Sequence, residues 1–155
     1  RDLAVAWVGD GNNVCNSLIL STVLTGMNVT VATPKGYEPA KDIVKKAHSL
    51  GGNVSLARKP EHAVKDADVI ITDTWISMGD DDEREVRMRV FSNYTVDAAL
   101  MRHASPDARV LHCLPAHRGE EISDEVMEGG QSLVWDEAEN RLHAQKALLV
   151  RLLGK

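Results

Sequence analysis

The sequence predicts an α/β domain in which helices cover both faces of a doubly wound, mostly parallel sheet. Short apolar and β-branched runs alternate with helical patterns along all 155 residues, and this alternation is typical of βαβ units. The runs are mostly apolar throughout, as expected of strands that are covered on both faces. We therefore expect one domain over 1–155, with a three-layer, Rossmann-like arrangement.

The first half of the chain is predicted to form three strand–helix units. The strand at 3–8 ends at Gly9-Asp10-Gly11, which opens a helix over 13–26. The strand at 28–32 ends at Pro34-Lys35-Gly36, and the following helix over 39–50 ends at Gly51-Gly52. An apolar strand at 53–57 is followed by a helix over 60–66.

The second half is predicted to continue the same alternation. An apolar strand at 68–72 precedes helices over 83–91 and 96–103. After the turn at Pro106-Asp107 comes a strand at 109–112, and a helix over 123–128 ends at Gly129-Gly130. A sixth strand is predicted at 132–135, followed by a long terminal helix from about residue 137.

Composition and charge exclude several classes of protein. The chain is 43% hydrophobic and 26% charged, which is typical of a soluble globular domain. A pI of about 5.6, a net charge of -5 and scattered basic residues argue against a nucleic-acid partner. The longest apolar run, 17–25, is too short to span a membrane, and the first eight residues lack a signal-peptide pattern.

The cysteines and the first residue lead to three further expectations. Cys15 and Cys113 lie far apart, which fits neither a disulfide framework nor a zinc-binding spacing. We therefore expect a cytoplasmic protein, and a site that needs no metal and no cofactor. The chain starts at Arg1 and enters a strand pattern within two residues, so we expect it to be part of a longer protein.

Ligands of parallel α/β sheets bind beside the loops at the carboxyl ends of the strands. The loop after the first strand, from Gly9 to Val14, has two glycines of a dinucleotide-binding fingerprint, but Val14 stands where the third is needed. No acidic residue ends the second strand near Ala32, so we expect no nicotinamide site. A tight turn explains the glycines, and one of Asn12 and Asn13 is a candidate helix cap.

The loop after the fourth strand begins with Asp73. A carboxylate at this position points into the crevice and is suited to a ligand ammonium, although aspartate is also a common turn-forming residue. The acidic run at 80–83 is interpreted as a cap for the next helix.

Two further loops carry unusual residues. Cys113 follows His112 at a strand end, which suggests a nucleophile or a tuned thiol, although cysteine is more commonly a small buried side chain. Pro115 is a candidate cis proline. Glu137 is interpreted as a first-turn acid of the terminal helix, whereas Arg141 is a cation that the helix dipole does not favour there. An anionic ligand or an ion pair is therefore the expected partner of Arg141.

Four motifs occur together in an order and spacing that resemble the ornithine carbamoyltransferases. They are Gly-Asp-Gly-Asn-Asn, Asp-Thr-Trp-Ile-Ser-Met-Gly, His-Cys-Leu-Pro and Glu-Ala-Glu-Asn-Arg. The resemblance covers essentially the whole chain and corresponds to the ornithine-binding domain of that family. It implies that the N-terminal domain, which holds most of the carbamoyl phosphate, is absent from this chain.

The resemblance implies a role for each matching residue. Asn13 corresponds to the asparagine that binds the α-carboxylate of ornithine. Asp73, Ser77 and Met78 correspond to the residues that fix its amino groups, Met78 through its backbone.

Three residues are implied at the reacting atoms. Cys113 corresponds to the cysteine beside the δ-amine, and Cys113 and Leu114 contact both substrates. Arg141 corresponds to the arginine that reaches carbamoyl phosphate from this domain. The implied catalytic residues are therefore Cys113, Asp73 and Arg141, and the thiol is expected to position the substrate without forming a covalent intermediate.

The implied reaction transfers the carbamoyl group of carbamoyl phosphate to the δ-amine of L-ornithine, giving L-citrulline and phosphate, as in arginine biosynthesis and the urea cycle. The implied partners are the N-terminal domain of the same chain and further copies in a homotrimer or higher oligomer. Aspartate carbamoyltransferase fits poorly, because its family lacks the Ser-Met-Gly loop and this cysteine. Putrescine carbamoyltransferase and a non-catalytic interaction domain remain as alternatives.

Overall fold

A computed structural model describes residues 3–76 and 81–154 of the chain. Five strands form one sheet: β1 (Ala4–Val8), β2 (Asn28–Ala32), β3 (Val54–Ala57), β4 (Val69–Thr72) and β5 (Arg109–His112). Their order is β3-β2-β1-β4-β5, and every neighbouring pair is parallel. The first five predicted strands are therefore confirmed, each to within one residue.

The predicted helices are all present, and most are shorter than predicted. They are α1 (Asn13–Leu24), α2 (Lys41–Ser49), α3 (Pro60–Val64), α4 (Arg84–Phe91), α5 (Ala98–Met101), α6 (Asp124–Met127) and α7 (Val134–Leu153). A 3₁₀ turn over Asp81–Glu83 leads into α4.

The predicted sixth strand at 132–135 is wrong. Ser132 makes only an isolated bridge to Val110, through the pairs Val110 N to Gln131 O and Leu133 N to Val110 O, both at 2.9 Å. The chain then turns into α7 at Val134, three residues before the predicted start. The apolar residues of this run begin a helix because Asp136 and Glu137 follow at once, and acidic side chains in a first turn favour helix formation.

The sheet separates two apolar cores, which confirms the three-layer arrangement. One core lies under α1 and α2 and includes Trp7, Ile19 and Ala47, all fully buried. The other lies under α3 to α6 and the start of α7, and includes Ile70 and Phe91. Along β1, successive side chains alternate between the two cores, as the pleat of a strand requires.

The strand order creates a crevice at the carboxyl edge of the sheet. β1 lies in the centre, with β2 on one side and β4 on the other. The chain leaves β1 toward the α1 face and leaves β4 toward the α4 face, so the loops after these two strands diverge. Within the described ranges, no helix is long and apolar enough to cross a membrane.

Candidate active site at the carboxyl ends of β1, β4 and β5

Asn12 connects the loop after β1 to the loop after β4. Its Oδ1 accepts the backbone N–H groups of Val14 and Cys15, each at 3.0 Å, so Asn12 is the cap of α1. Its Nδ2 donates to Asp73 Oδ2 at 2.8 Å. Of the two asparagines predicted as cap candidates, Asn12 therefore has the structural role, and Asn13 stands exposed at the first position of the helix.

Asp73 is the centre of the site. The residue is only 6% exposed, so its carboxylate needs polar partners. Besides Asn12, its Oδ1 accepts the backbone N–H of Thr74 at 2.8 Å and lies 3.2 Å from Cys113 Sγ, which donates to it. The structure thus brings together Asp73 and Cys113, two of the residues predicted to act on the substrate.

Cys113 is a protonated thiol at the surface of the crevice. Partial burial of the sulfur, together with the charge of Asp73 and the hydrogen bond to it, raises the pKa of the thiol to about 12. At neutral pH the sulfur therefore carries its proton, which argues against a cysteine nucleophile. The next residue, Leu114, has a φ of 58° and a cis bond to Pro115, so the predicted cis proline is confirmed.

A buried histidine–glutamate pair supports the Cys113 loop from behind. His112 and Glu121 are almost completely buried, and His112 Nε2 lies 3.1 Å from Glu121 Oε1. His112 Nδ1 accepts the backbone N–H of Leu114 at 2.9 Å, which fixes the turn after Cys113. Glu121 was not predicted as a site residue, because a contact across a loop leaves no periodic pattern in the sequence.

Glu137 is a second acid near Cys113 that the sequence interpretation placed only at a helix start. It does lie in the first turn of α7, but its Oε2 also accepts the backbone N–H of His112 at 2.9 Å. Burial raises the pKa of the Glu137 carboxyl, and the charge of Asp73 raises it further. The carboxylates of Asp73 and Glu137 therefore lie close enough to influence each other and the Cys113 thiol.

Arg87 connects three loops at the same edge of the sheet. Its Nη1 lies 2.8 Å from Asp10 Oδ2 and donates to the carbonyl of Trp75 at 3.0 Å, while its guanidinium lies 5.0 Å from the ring centre of Tyr37. Glu83 makes no side-chain capping hydrogen bond to α4 and instead pairs with Arg87 at 3.2 Å. Glu83 does occupy the N-cap position of α4, at the helix start where the acidic run was expected to act.

The remaining predicted site residues make no described contact with Asp73, or lie outside the described residues. Leu114 is half-buried next to Cys113, and Arg141 lies on an exposed part of α7, one turn after Glu137. Ser77 and Met78 lie outside the described residues. Of the predicted site residues that the structure describes, Asp73 and Cys113 are the two in direct contact.

One group in the crevice has the composition of a metal site. Asp73, His112 and Cys113 each offer a ligand atom, and these atoms lie within 4.8 Å of one another. The Nδ1 of His112 already accepts the Leu114 N–H, and the Cys113 proton is shared with Asp73. A metal ion here would have to break both hydrogen bonds.

The chain is similar to known proteins over almost its whole length. The chain matches the family model for the Asp/Orn binding domain of aspartate/ornithine carbamoyltransferase over residues 1–152. It is 62% identical over 152 residues to the ornithine carbamoyltransferase of Methanoculleus marisnigri and 57% identical over 155 residues to that of Archaeoglobus fulgidus. These matches cover 98% and 100% of this chain, but 49% and 50% of the relatives.

The fold is also similar to solved structures. Ornithine carbamoyltransferase from Pyrococcus furiosus matches with a TM-score of 0.91 at 50% identity, over 97% of this chain and 49% of that one. The chain thus spans about half the length of the curated and solved relatives that it matches.

Proposed function

The chain belongs to the aspartate/ornithine carbamoyltransferase family, and from this membership we propose that it is the ornithine-binding domain of an ornithine carbamoyltransferase. The observation that carries the proposal is the buried carboxylate of Asp73, oriented by Asn12, Thr74 and Cys113 at the carboxyl edge of the sheet. A fixed carboxylate of this kind suits a substrate ammonium group.

Ornithine carries a carboxylate and two amines, so its site requires both hydrogen-bond donors and hydrogen-bond acceptors. Asp73 supplies the acceptor for an ammonium. Asn13, at the exposed start of α1, supplies an amide for the α-carboxylate. Ser77 and Met78 are proposed to hold the amino groups, Met78 through its backbone.

The proposed reaction is attack of the ornithine δ-amine on the carbonyl carbon of carbamoyl phosphate, which gives citrulline and phosphate. The amine must first lose a proton, and the carboxylate of Asp73 next to the Cys113 thiol is the polar pair that influences this step. Cys113 acts as a neutral positioning group, since its pKa is raised to about 12. Arg141 is proposed to stabilise the negative charge that develops on the carbonyl oxygen and the departing phosphate, with Leu114 contacting both substrates.

The longer protein is proposed to contain an N-terminal domain that binds most of the carbamoyl phosphate. This agrees with the length of the relatives, about half of which the chain covers. We further propose that the protein assembles as a homotrimer or higher oligomer in the cytoplasm and serves arginine biosynthesis or the urea cycle.

Aspartate is the competing substrate within the same family. The second carboxylate of aspartate would have to approach Asp73 and Glu137, whose charges lie close to each other. Two like charges in a partly buried site repel, so the electrostatics favour a cationic substrate. Putrescine is also cationic, but it has no carboxylate for the Asn13 amide.

The test is NMR titration of this chain with L-ornithine, putrescine and L-aspartate. We expect weak binding of ornithine, weaker binding of putrescine and none of aspartate. Asp73→Asn should weaken ornithine binding by about 2–3 kcal/mol, because a charge-assisted hydrogen bond is lost. Asp107→Asn, at an exposed turn, is the matched control and should have no effect. Unchanged ornithine binding in Asp73→Asn would remove Asp73 from the site.

A further inference from the structure

Glu121 has a buried carboxylate with one oxygen that lacks a hydrogen-bond partner among the described residues. Its Oε1 accepts the backbone N–H of His117 at 2.5 Å and faces His112 Nε2. Its Oε2 points toward the side chain of His117, with 3.7 Å between Oε2 and Nδ1. A buried polar atom without a hydrogen-bond partner costs free energy. An unpaired carboxylate oxygen in a folded protein is therefore a candidate ligand atom for a bound ion.

The neighbouring His112 does not balance the charge of Glu121. Its Nδ1 accepts the backbone N–H of Leu114, so that nitrogen carries no proton. The one ring proton therefore lies on Nε2, facing Glu121, and the ring is neutral. Near Oε2, the group that can carry positive charge is the His117 imidazole, 3.7 Å away and too far for a hydrogen bond, so this oxygen is open to a cation.

Three side chains come together around this carboxylate. His117, Glu120 and Glu121 each offer one ligand atom, and these atoms all lie within 4.8 Å of one another. A single tight turn presents all three, closed by a 3.0 Å hydrogen bond from Glu120 N to His117 O. The ligands are therefore held together by local backbone structure.

The set of ligand atoms selects a class of ion. One imidazole nitrogen with two carboxylate oxygens suits Zn²⁺ and similar transition-metal ions, whereas Mg²⁺ and Ca²⁺ prefer oxygen ligands only. His112 holds the other oxygen of Glu121, which is the outer hydrogen bond that ligating carboxylates usually have. The His117 side chain is 42% exposed, so an ion can enter from solvent.

We propose that His117, Glu120 and Glu121 form a binding site for a divalent transition-metal ion behind the loop that carries Cys113. The site does not depend on the proposed reaction. Glu120 also pairs with Arg84 at 2.5 Å, which offsets one of the two carboxylate charges. The ion would replace the contact between His117 Nδ1 and Thr74 Oγ1, now 3.2 Å, and so would act on the residue that follows Asp73.

The test is calorimetric titration of ZnCl₂ into this chain carrying Cys113→Ser. The substitution removes the thiol of the other candidate group, Asp73, His112 and Cys113, so the remaining binding reports on the proposed site. We expect one saturable Zn²⁺ per chain. Adding His117→Ala or Glu120→Gln should weaken the affinity at least about tenfold, since each removes one of three protein ligands.

Two controls separate this site from adventitious binding. His143→Ala removes an exposed imidazole on α7 that faces Glu139 at 3.4 Å, and the affinity should not change. Arg84→Ala removes the ion-pair partner of Glu120 without removing a ligand, and Zn²⁺ should still bind. Circular dichroism checks that each variant is folded. Failure to saturate in Cys113→Ser, unchanged affinity after His117→Ala, or an equal loss after His143→Ala would each overturn the proposal.

Discussion

At the scale of single residues, the carboxylate of Asp73 is oriented before any substrate binds. Its donors come from the loop after β1, from the next backbone N–H and from the loop after β5. In the proposed site, a substrate ammonium would therefore meet an acceptor that has little rotational freedom left to lose. Preorganised groups of this kind bind and orient a ligand at lower entropic cost.

Glu137 is expected to add to the proton affinity of the Cys113 thiol, after burial and Asp73. Glu137→Gln keeps an oxygen that can accept the His112 N–H but removes a negative charge near the sulfur, so the pKa of the thiol should fall from about 12. Iodoacetamide labelling of Cys113 should speed up severalfold at every pH from 8 to 9.5, and in both proteins rise about tenfold per pH unit, because the thiolate is the reacting form.

The matched control for this labelling is Glu139→Gln, an exposed acid of the same helix that pairs with His143. Its labelling rate should equal that of the unmodified chain. Cys15 should stay unlabelled in all three proteins, since it is fully buried and burial raises its thiol pKa. Equal rates in Glu137→Gln and the unmodified chain would show that Glu137 does not act on the sulfur.

The sequence predicted the site residues that follow the ends of strands. It did not predict the residues whose side chains support those loops by hydrogen bonds. Asp73 and Cys113 were predictable because the carboxyl ends of neighbouring parallel strands meet at one edge. Glu137 accepts the backbone N–H of His112 in β5, and the Glu121 carboxylate faces the buried side chain of His112. Such contacts depend on the tertiary fold and leave no local pattern, so a single sequence does not show them.

At the scale of elements, the strands were predicted well and the last helix was not. The central strands β1, β2 and β4 are covered on both faces, so their apolar runs are distinct from the flanking turns. The apolar run that starts at residue 132 forms one bridge to β5 at Ser132 and then enters the first turn of α7 at Val134. Short apolar runs of this kind fit a strand or a helix equally well by pattern alone.

The end of α7 has more apolar surface than one buried stripe requires. The exposed residues include Leu142, Leu148, Leu149, Leu152 and Leu153, each 57% exposed or more. An apolar surface of this size is expected to cause self-association of the isolated chain. In the longer protein we expect the N-terminal domain to cover it.

Changing this surface should alter association without altering stability. Leu149→Glu with Leu153→Glu should shift the chain toward monomer in sedimentation velocity, with little change in the thermal midpoint, because neither side chain is buried. Leu24→Glu, a single exposed leucine at the end of α1, is the control and should leave association unchanged. If the double variant associates as strongly as the unmodified chain, the surface is not the cause.

At the scale of the whole molecule, this domain is proposed to bind only one of the two substrates of the reaction. The described residues place the Asp73 carboxylate and the Cys113 thiol together at the edge of the sheet. The groups that hold the phosphate are proposed to lie in the N-terminal domain. Fixing two substrates in reacting geometry contributes up to about 7–11 kcal/mol to catalysis, and one domain alone cannot supply it.

The isolated chain should therefore form no measurable citrulline from ornithine and carbamoyl phosphate. A colorimetric citrulline assay is suitable, with a full-length ornithine carbamoyltransferase as the positive control. Ornithine binding measured on the same preparation shows that the domain is folded and competent to bind. Robust turnover by the 155 residues would contradict this division of labour between the domains.

Asn12 has two roles, one in the start of α1 and one in the proposed binding site. One side chain completes the first turn of α1 with its oxygen and holds Asp73 with its nitrogen. A ligand that tightens the hold on Asp73 also restrains Asn12, and with it the amides of Val14 and Cys15. Deuterium exchange at these two amides should slow as ornithine binds, although neither residue is expected to touch the ligand. Substitution at position 12 is constrained twice, because a residue that only caps the helix would leave Asp73 Oδ2 without its amide donor.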